Sequence, residues 1–291
     1  MTPFGDWLEQ LIAESTGKEG EGILPVTGEE IGPPEVYRDD RLFCAIRIAG
    51  DTADDEPLQA LAEEGYPVIT VELNDPYDLG GQCFFWEMAT AAACWRLAVN
   101  PFDQPDVEAA KILARKTIAE FGEQGAMPPE KPFLMVPGLS FYGAIPAERP
   151  EQVLPMVLIQ AKVDGYVAFQ AYLPPSPETD EALQRLRMRI RDLLGLTATV
   201  GYGPRFLHST GQLHKGDAGR GLCIQFTADD PQDAPIPDEL GSSESAITFG
   251  VLKQAQAFGD RQALLDAGRL AIRIHLHKNP AEGILRLAAT L

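Results

Sequence analysis

A carboxylate, a glycine turn and a cation lie together near the start of the chain. Glu14 closes an apolar helical stretch, and Ser-Thr-Gly-Lys follows it directly, ending at Lys18. A carboxylate at the end of a helix can act as a general base when partial burial raises its pKa towards the working pH. Surface glutamates are far commoner than catalytic ones, so the position alone also fits an ordinary surface residue. Glu14 is therefore a candidate base that needs support from elsewhere in the chain.

A second segment, NPFDQPDVEAAK at residues 100–111, places polar side chains at the start of a predicted helix. Gln104 lies at the mouth of this helix, and Lys111 follows about two turns later, on nearly the same face and about 10 Å away. A helix N-terminus offers free amides to an anion, and a glutamine can hydrogen-bond a sugar hydroxyl or a phosphate oxygen. The spacing alone fits an ordinary capped helix with a solvated lysine equally well.

The third segment, RFLHSTGQLHKG at residues 205–216, contains two of the four histidines of the chain, His208 and His214. A neutral imidazole near pH 7 can pass a proton to a ring oxygen, so His208 is suited to opening a pyranose. The six-residue spacing of the pair, without cysteine and without an HExxH pattern, argues against zinc. Two ordinary loop histidines remain the alternative interpretation.

Together the three segments resemble signature pieces of glucose-6-phosphate isomerases. AESTGKEGEGILP is similar to the E-S-x-G-K segment of that family, and NPFDQPDVEAAK is similar to its N-x-F-D-Q-x-x-V-E-x-x-K pattern. FLHSTGQ resembles the D-L-H-S-x-G-Q element of some bacterial isomerases. The resemblance implies that His208, not His214, opens the sugar ring and reaches a neighbouring subunit's site. It also implies that Glu14 moves a proton between C2 and C1 of the open-chain sugar.

The same resemblance implies the remaining site residues. Lys111 joins the catalytic groups, and Gln104 contacts the sugar phosphate. Lys18, Ser209 and Thr210 are expected as further substrate contacts. The implied reaction requires no metal and no organic cofactor, and its substrate is a phosphorylated sugar.

The layout resembles the isomerase portion of fused transaldolase/glucose-6-phosphate isomerase proteins, their C-terminal SIS-like part (SIS, sugar isomerase). In ordinary isomerases the histidine segment precedes the NPFDQPDVEAAK element, whereas here it follows it. The family's earlier lobe, with a Gly-Gly-Arg segment and a Ser/Thr-rich phosphate loop, is missing. Losing one donor that stabilises the transition state costs about 3–4 kcal/mol. We therefore expect a weak or inactive isolated chain, completed by a missing N-terminal lobe or a transaldolase domain in cis or trans, and a possible homodimer.

Two interpretations without catalysis remain open. The chain could be a non-catalytic sugar-phosphate-binding module, similar to regulatory SIS domains. It could also provide mainly an assembly surface, for which Trp86 and Trp95 in the predicted 79–98 helix are candidates. Aromatic residues of this kind more often belong to a core.

Composition narrows the classes of partner and compartment. A formal net charge of −19 opposes binding to nucleic acid, so none is expected as a partner. The four cysteines form no C-x-x-C pair, which favours reduced thiols in the cytoplasm. The N-terminus lacks a basic segment before an apolar one. The longest apolar run, 83–99, is interrupted by Glu87 and Arg96 and predicts a buried helix, not a membrane span.

Strand and helix patterns alternate along most of the chain, which predicts an α/β fold. Buried strands at 42–50 and 67–73 flank a helix, and the alternation resumes after residue 150. We expect a mostly parallel sheet with helices on both faces, an SIS-like (flavodoxin-like) three-layer sandwich. The expected parts are 1–121 with the base-bearing helix, 122–150 as a linker or excursion rich in Pro and Gly, and 151–291, packed on the same sheet system.

Overall fold

The structure is a computed structural model that describes residues 2–105 and 107–291, without the side chains of Thr2 and of residues 107–110. The helices in the described part are α1 (Thr2–Thr16), α2 (Asp55–Glu63), α3 (Leu79–Leu97), α4 (Val107–Gln124), α5 (Pro150–Leu158), α6 (Pro177–Leu194), α7 (Thr210–Gly216), α8 (Phe249–Asp266) and α9 (Pro280–Ala288). The strands are β1 (Phe43–Ile48), β2 (Val68–Leu73), β3 (Leu134–Val136), β4 (Leu139–Tyr142), β5 (Tyr166–Tyr172), β6 (Thr197–Tyr202), β7 (Gly221–Ala228), β8 (Pro235–Ile236), β9 (Ile247–Thr248) and β10 (Leu270–Leu276).

A six-stranded sheet forms the centre of the described structure, with the strand order β3-β4-β10-β7-β5-β6. The strands β10, β7, β5 and β6 run parallel, and β4 and β3 continue the sheet as an antiparallel edge. Every residue of β5 and of β7 is buried, which explains their nearly continuous apolar sequences. The predicted α/β class with a mostly parallel sheet is confirmed.

One face of this sheet packs against α5, α6 and α9. Val167 and Phe169 of β5 are fully buried here, together with Leu183 and Leu186 of α6 and Ile284 of α9. Alternate residues of a strand point to opposite faces, so Ala168 belongs to the other side. The buried side of the amphipathic helix α6 therefore covers the sheet.

The opposite face of the sheet packs against α8, and further helices follow outwards. Ala168 of β5 and Cys223 of β7 form a small buried cluster with Leu264 of α8. The helix α4 packs on α8, and α1 packs against both α7 and α3. Helices thus lie on both faces, as predicted. The helix α1, which carries Glu14, reaches the sheet by way of α7.

The apolar helix α3 differs from its prediction as a buried helix. Thr90 and Cys94 are its buried residues, whereas Phe84, Met88 and Trp95 are 67%, 56% and 83% exposed. Among the described residues, no helix is long and apolar enough to cross a membrane. Phe84, Met88 and Trp95 form an exposed surface, which we call the α3 apolar face, whereas Trp86 is half-buried.

Two segments of the chain have a different structural role from the one expected. The segment 122–150, expected as a linker or excursion, contributes β3 and β4 to the central sheet, where Phe141 is fully buried. The predicted β-α-β unit forms, but β1 and β2 pair in a parallel two-stranded sheet of their own, apart from the six-stranded sheet. The domain boundaries themselves stay a prediction. The start of the helix predicted to follow Gln104 involves Asp106, which lies outside the described residues.

Candidate functional site

The segment that follows Glu14 docks on the helix that follows His208. Gln212 of α7 is fully buried, and its Nε2 donates a hydrogen bond of 2.9 Å to the carbonyl oxygen of Gly17. The N–H of Gly20 donates to the carbonyl oxygen of Gly216 at 2.8 Å. Two of the three candidate segments, far apart in the sequence, are therefore held together by hydrogen bonds.

Gly17 allows this docking because it has no side chain. A Cβ atom at this position would lie 2.4 Å from Cα and 2.6 Å from Cβ of Leu213 in α7. A Cβ atom at Gly22, in the same segment, would meet the side chain of Leu213, at 2.3 Å from its Cδ1. Gly17 and Gly22 thus set how closely the backbone of this segment approaches α7.

Replacing Gly17 by alanine is expected to lower the free energy of unfolding by about 1–3 kcal/mol, the usual effect of overpacking. The added methyl group meets backbone atoms of Leu213, which cannot move without shifting α7. Urea denaturation followed by circular dichroism measures the change. The matched control is Gly122→Ala in α4, where a Cβ atom meets nothing within 4 Å. Equal stability of the two variants would contradict the docking.

Lys18, in the first segment, connects that segment to the second. Its side chain is fully buried, and Nζ donates hydrogen bonds to the carbonyl oxygen of Asn100 at 2.8 Å and to that of Asp103. Burial is the largest influence on the Lys18 pKa and lowers it, while neighbouring negative groups, Asp103 and Glu14 among them, act in the opposite direction. The lysine expected to contact substrate thus also has a structural contact, with the loop that leads to Gln104.

The candidate side chains differ in exposure. Glu14 is half-buried, and its Oε2 accepts a hydrogen bond of 3.4 Å from Gln10. Three of the other candidate side chains are exposed to solvent: Gln104, Lys111 and His208. The structure brings together the three segments that carry these groups, while the role of each group stays a prediction.

The two residues that follow His208 are less accessible to solvent than His208 itself. Ser209 is half-buried and its hydroxyl donates to the carbonyl oxygen of Phe206 at 3.2 Å. Thr210, the first residue of α7, is only 2% exposed. Their expected contacts with substrate stay predictions.

The two histidines of the third segment occupy opposite environments. His214 is 2% exposed, and its Nδ1 shares a hydrogen bond of 3.3 Å with Nε2 of Gln170. Burial, with a smaller influence from Lys215, lowers the pKa of His214 to about 3, so its ring is neutral at pH 7. His208 is exposed at the surface. His208 is accordingly the histidine that a substrate can reach.

A buried ion pair beneath α7 does not follow from the sequence. Nζ of Lys215 lies 2.5 Å from Oδ1 of Asp260 in α8, and the two side chains are only 4% and 0% exposed. The lysine also donates to the carbonyl oxygen of Gly211 at 3.1 Å. Arg269 donates to the carbonyl oxygens of Lys215 and Asp217. The sequence gives one indication of this ion pair, which is an aspartate among the apolar residues of α8. A buried carboxylate needs a partner of opposite charge, but the sequence does not show which residue that is.

A histidine pair without a predicted role gathers at the end of β10. His275 Nε2 lies 3.0 Å from one carboxylate oxygen of Asp229, and His277 Nδ1 lies 3.5 Å from the other. Hydroxyls of Thr227 and Ser140 bond the remaining ring nitrogens at 2.9 and 2.7 Å. Two imidazoles and a carboxylate, with ligand atoms within 4.8 Å of one another, are donor types that bind transition metals, so among the described residues this cluster has the geometry that could hold a metal ion.

Comparison with known proteins gives a partial match. No protein-family model matches the chain. Glucose-6-phosphate isomerases of Streptococcus pyogenes serotype M18 (strain MGAS8232) and serotype M5 (strain Manfredo) are each 31% identical to it over 162 residues. Part of this chain is thus similar to glucose-6-phosphate isomerase. Each match covers 42% of this chain and 35% of the relative, so the chain matches about a third of the length of these curated relatives.

Among solved structures, a hypothetical protein from Thermus thermophilus aligns with a TM-score of 0.40 and 14% sequence identity. That alignment covers 98% of this chain and 74% of the other.

Proposed function

We propose that the chain is part of an aldose–ketose isomerase that interconverts glucose 6-phosphate and fructose 6-phosphate. The observation that carries the proposal is the meeting of the three candidate segments, through Gln212 with Gly17 and through Lys18 with Asn100 and Asp103. The partial similarity to glucose-6-phosphate isomerases supports it from the sequence.

Each candidate group has a step that suits its chemistry. His208 gives a proton to the ring oxygen as the pyranose opens, and an exposed imidazole can reach a bound sugar. Glu14 then removes the proton from C2 of the open-chain aldose and returns it to C1 through an enediol, while a second proton passes from O2 to O1, so the reaction is redox-neutral overall. Gln104 and Lys111, both exposed, contact the sugar phosphate, while the buried Lys18 holds the loop that leads to Gln104 and does not itself reach the substrate. No metal and no organic cofactor takes part in this scheme.

The proposal includes a partner that completes the site. The chain matches only about a third of the length of its relatives, and the family's Gly-Gly-Arg segment and phosphate loop do not occur in it. The α3 apolar face, with Phe84, Met88 and Trp95, supports this because exposed patches of this kind mark interaction surfaces. The helix α3 packs against α1, so a lobe that covered this face would lie beside the helix that carries Glu14. A missing isomerase lobe or transaldolase domain, in cis or in trans, is our proposed occupant.

A turnover assay on the isolated chain tests both parts of the proposal. The chain is incubated with fructose 6-phosphate in D2O, and deuterium at C1 and C2 of the sugar phosphates is followed by NMR. We expect slow uptake, at least about 10²–10³ times slower than with a whole isomerase of Streptococcus pyogenes, because a supporting donor is absent. A rate equal to that of the whole enzyme would contradict the incompleteness of the site.

A second candidate function is a non-catalytic sugar-phosphate-binding module. It predicts that the chain binds fructose 6-phosphate, measured by calorimetry, without any deuterium uptake above the protein-free rate. That result would overturn the isomerase proposal and leave the binding function.

A further inference from the structure

A cavity of about 280 Å³ opens at the carboxyl ends of three parallel strands. Tyr172 ends β5, Thr227 and Ala228 end β7, and His275 lies near the end of β10; all four line the cavity. In open α/β sheets, ligands bind outside the carboxyl ends of the strands. A water molecule takes about 30 Å³, so the cavity has room for about nine waters or a small metabolite.

Two buried polar atoms at this cavity have no hydrogen-bond partner among the described residues. Gln225 is fully buried, and its Nε2 donates to the carbonyl oxygen of Ala257 at 2.9 Å while its Oε1 accepts nothing. The hydroxyl of Tyr172, which is 1% exposed, is also unpartnered. Burial raises the pKa of Tyr172 well above its usual value, so the group remains a hydroxyl donor. A ligand with a hydroxyl group satisfies both atoms, since Gln225 needs a donor and Tyr172 offers one.

The cavity is lined by a cluster of cations that have carboxylate partners: Glu130 pairs with Arg261 and Arg273, and Asp230 pairs with Lys253. Its charged lining consists of three cations and two carboxylates: Lys253, Arg261, Arg273, Glu130 and Asp229. The Glu130 carboxylate already bridges Arg261 Nη1 at 2.5 Å and Arg273 Nη2 at 2.8 Å, which shows that this pair of guanidinium groups fits an anion.

One guanidinium atom still lacks an acceptor. Arg261 is 7% exposed, and its Nε is buried without a hydrogen-bond partner in the described part of the chain. An unpartnered donor on a buried cation points to a further acceptor at this place.

We propose that this cavity binds a small hydroxylated anion, with its charged group at Arg261 and Arg273 and a hydroxyl between Gln225 and Tyr172. None of the seven candidate isomerase residues is among the described residues that line it. The site is therefore separate from the proposed catalytic groups, and the proposal does not rest on isomerase activity. The ring of Tyr172 packs against Phe206 at 5.6 Å, so the ligand would lie next to the segment that carries His208.

Calorimetric titration of the full chain with glycerol 3-phosphate tests the proposal. Glycerol and inorganic phosphate are the comparison probes, and both are expected to bind more weakly because each has only one of the two features. Arg261→Met should weaken glycerol 3-phosphate binding about ten-fold or more, and Tyr172→Phe about three- to ten-fold, from the loss of one hydrogen bond each. The matched control is Arg185→Met, an exposed arginine of α6 on the other face of the sheet.

Tyr172→Phe keeps the test decisive even where Arg261→Met fails to fold. Because it removes an unpartnered buried hydroxyl, this variant should melt at the same or a higher temperature than the unaltered protein without ligand. Weaker binding in a stable protein then supports the site. The proposal is overturned when none of the probes binds at millimolar concentration. It is also overturned when Lys111→Met abolishes the binding of glycerol 3-phosphate and Tyr172→Phe leaves that binding unchanged. In that case glycerol 3-phosphate binds at the proposed isomerase site.

Discussion

Replacing Asp260 by alanine is expected to lower the free energy of unfolding by about 3–5 kcal/mol, because it leaves the ammonium group of Lys215 buried and without its counter-charge. The two side chains are 0% and 4% exposed, and 2.5 Å separates Oδ1 from Nζ. The methyl group of alanine offers the ammonium group no acceptor. Urea denaturation at pH 7 measures the loss.

Two controls show whether burial is the cause. In the double variant Asp260→Ala with Lys215→Met, both charges are absent, and stability should recover most of the way. Glu181→Ala removes a partner of the exposed Arg185 and should change stability by no more than about 1 kcal/mol. A single Asp260→Ala variant that loses as little as Glu181→Ala would contradict the buried pair. Because Lys215 belongs to α7, the pair also holds the helix on which the Glu14 segment docks.

The four parallel strands of the central sheet could be predicted from the sequence because their pattern is local, whereas the antiparallel strands β3 and β4 lie in the segment expected as a linker. The continuous apolar stretches of β5 and β7 are typical of strands covered on both faces, and the amphipathic repeat of α6 is typical of a helix that covers them. Helix ends follow equally local rules. Ser176 begins α6 by accepting the N–H of Thr179 at 3.2 Å, and Gly195 ends it with φ of +61°.

The α3 apolar face could not be predicted in the same way. Its composition indicates only that the helix avoids water, and it does not say whether the cover comes from this chain or from another. In the structure Cys94 packs towards α1, with Sγ donating to the carbonyl oxygen of Ser15 at 3.5 Å, while Trp95 beside it is 83% exposed. The difference between a core and an interface depends on what is adjacent in space.

In the candidate site, too, some features could be predicted from the sequence and others depend on contacts in space. The motif residues could be identified from the sequence, and their segments do meet. The contacts that join them could not be identified, since Lys18 bonds carbonyl oxygens that lie 82 and 85 residues away, and Gln212 bonds one 195 residues away. The cavity at Gln225 and Tyr172 depends likewise on three strands whose order is not visible in the chain.

Glu14→Gln is expected to reduce deuterium uptake into fructose 6-phosphate by about 10²–10⁴-fold, the usual contribution of a general base. Glutamine keeps the size and the hydrogen-bonding capacity of the side chain, including its contact with Gln10, but it cannot accept the C2 proton. Binding of fructose 6-phosphate, measured by calorimetry, should change little. The measured quantity is the NMR rate of deuterium incorporation at saturating sugar phosphate.

Glu21→Gln is the matched control, because it makes the same change of charge at an exposed glutamate seven residues further along the same segment. It should leave the exchange rate unaltered. If the two variants lose activity equally, the loss reflects the charge of the segment and not a base at position 14. If Glu14→Gln retains the full exchange rate, Glu14 is not the base, and the role that the E-S-x-G-K resemblance implies for it is wrong. A fall in exchange confined to Glu14→Gln, with binding intact, separates proton transfer from sugar-phosphate binding and thereby the isomerase from the binding module.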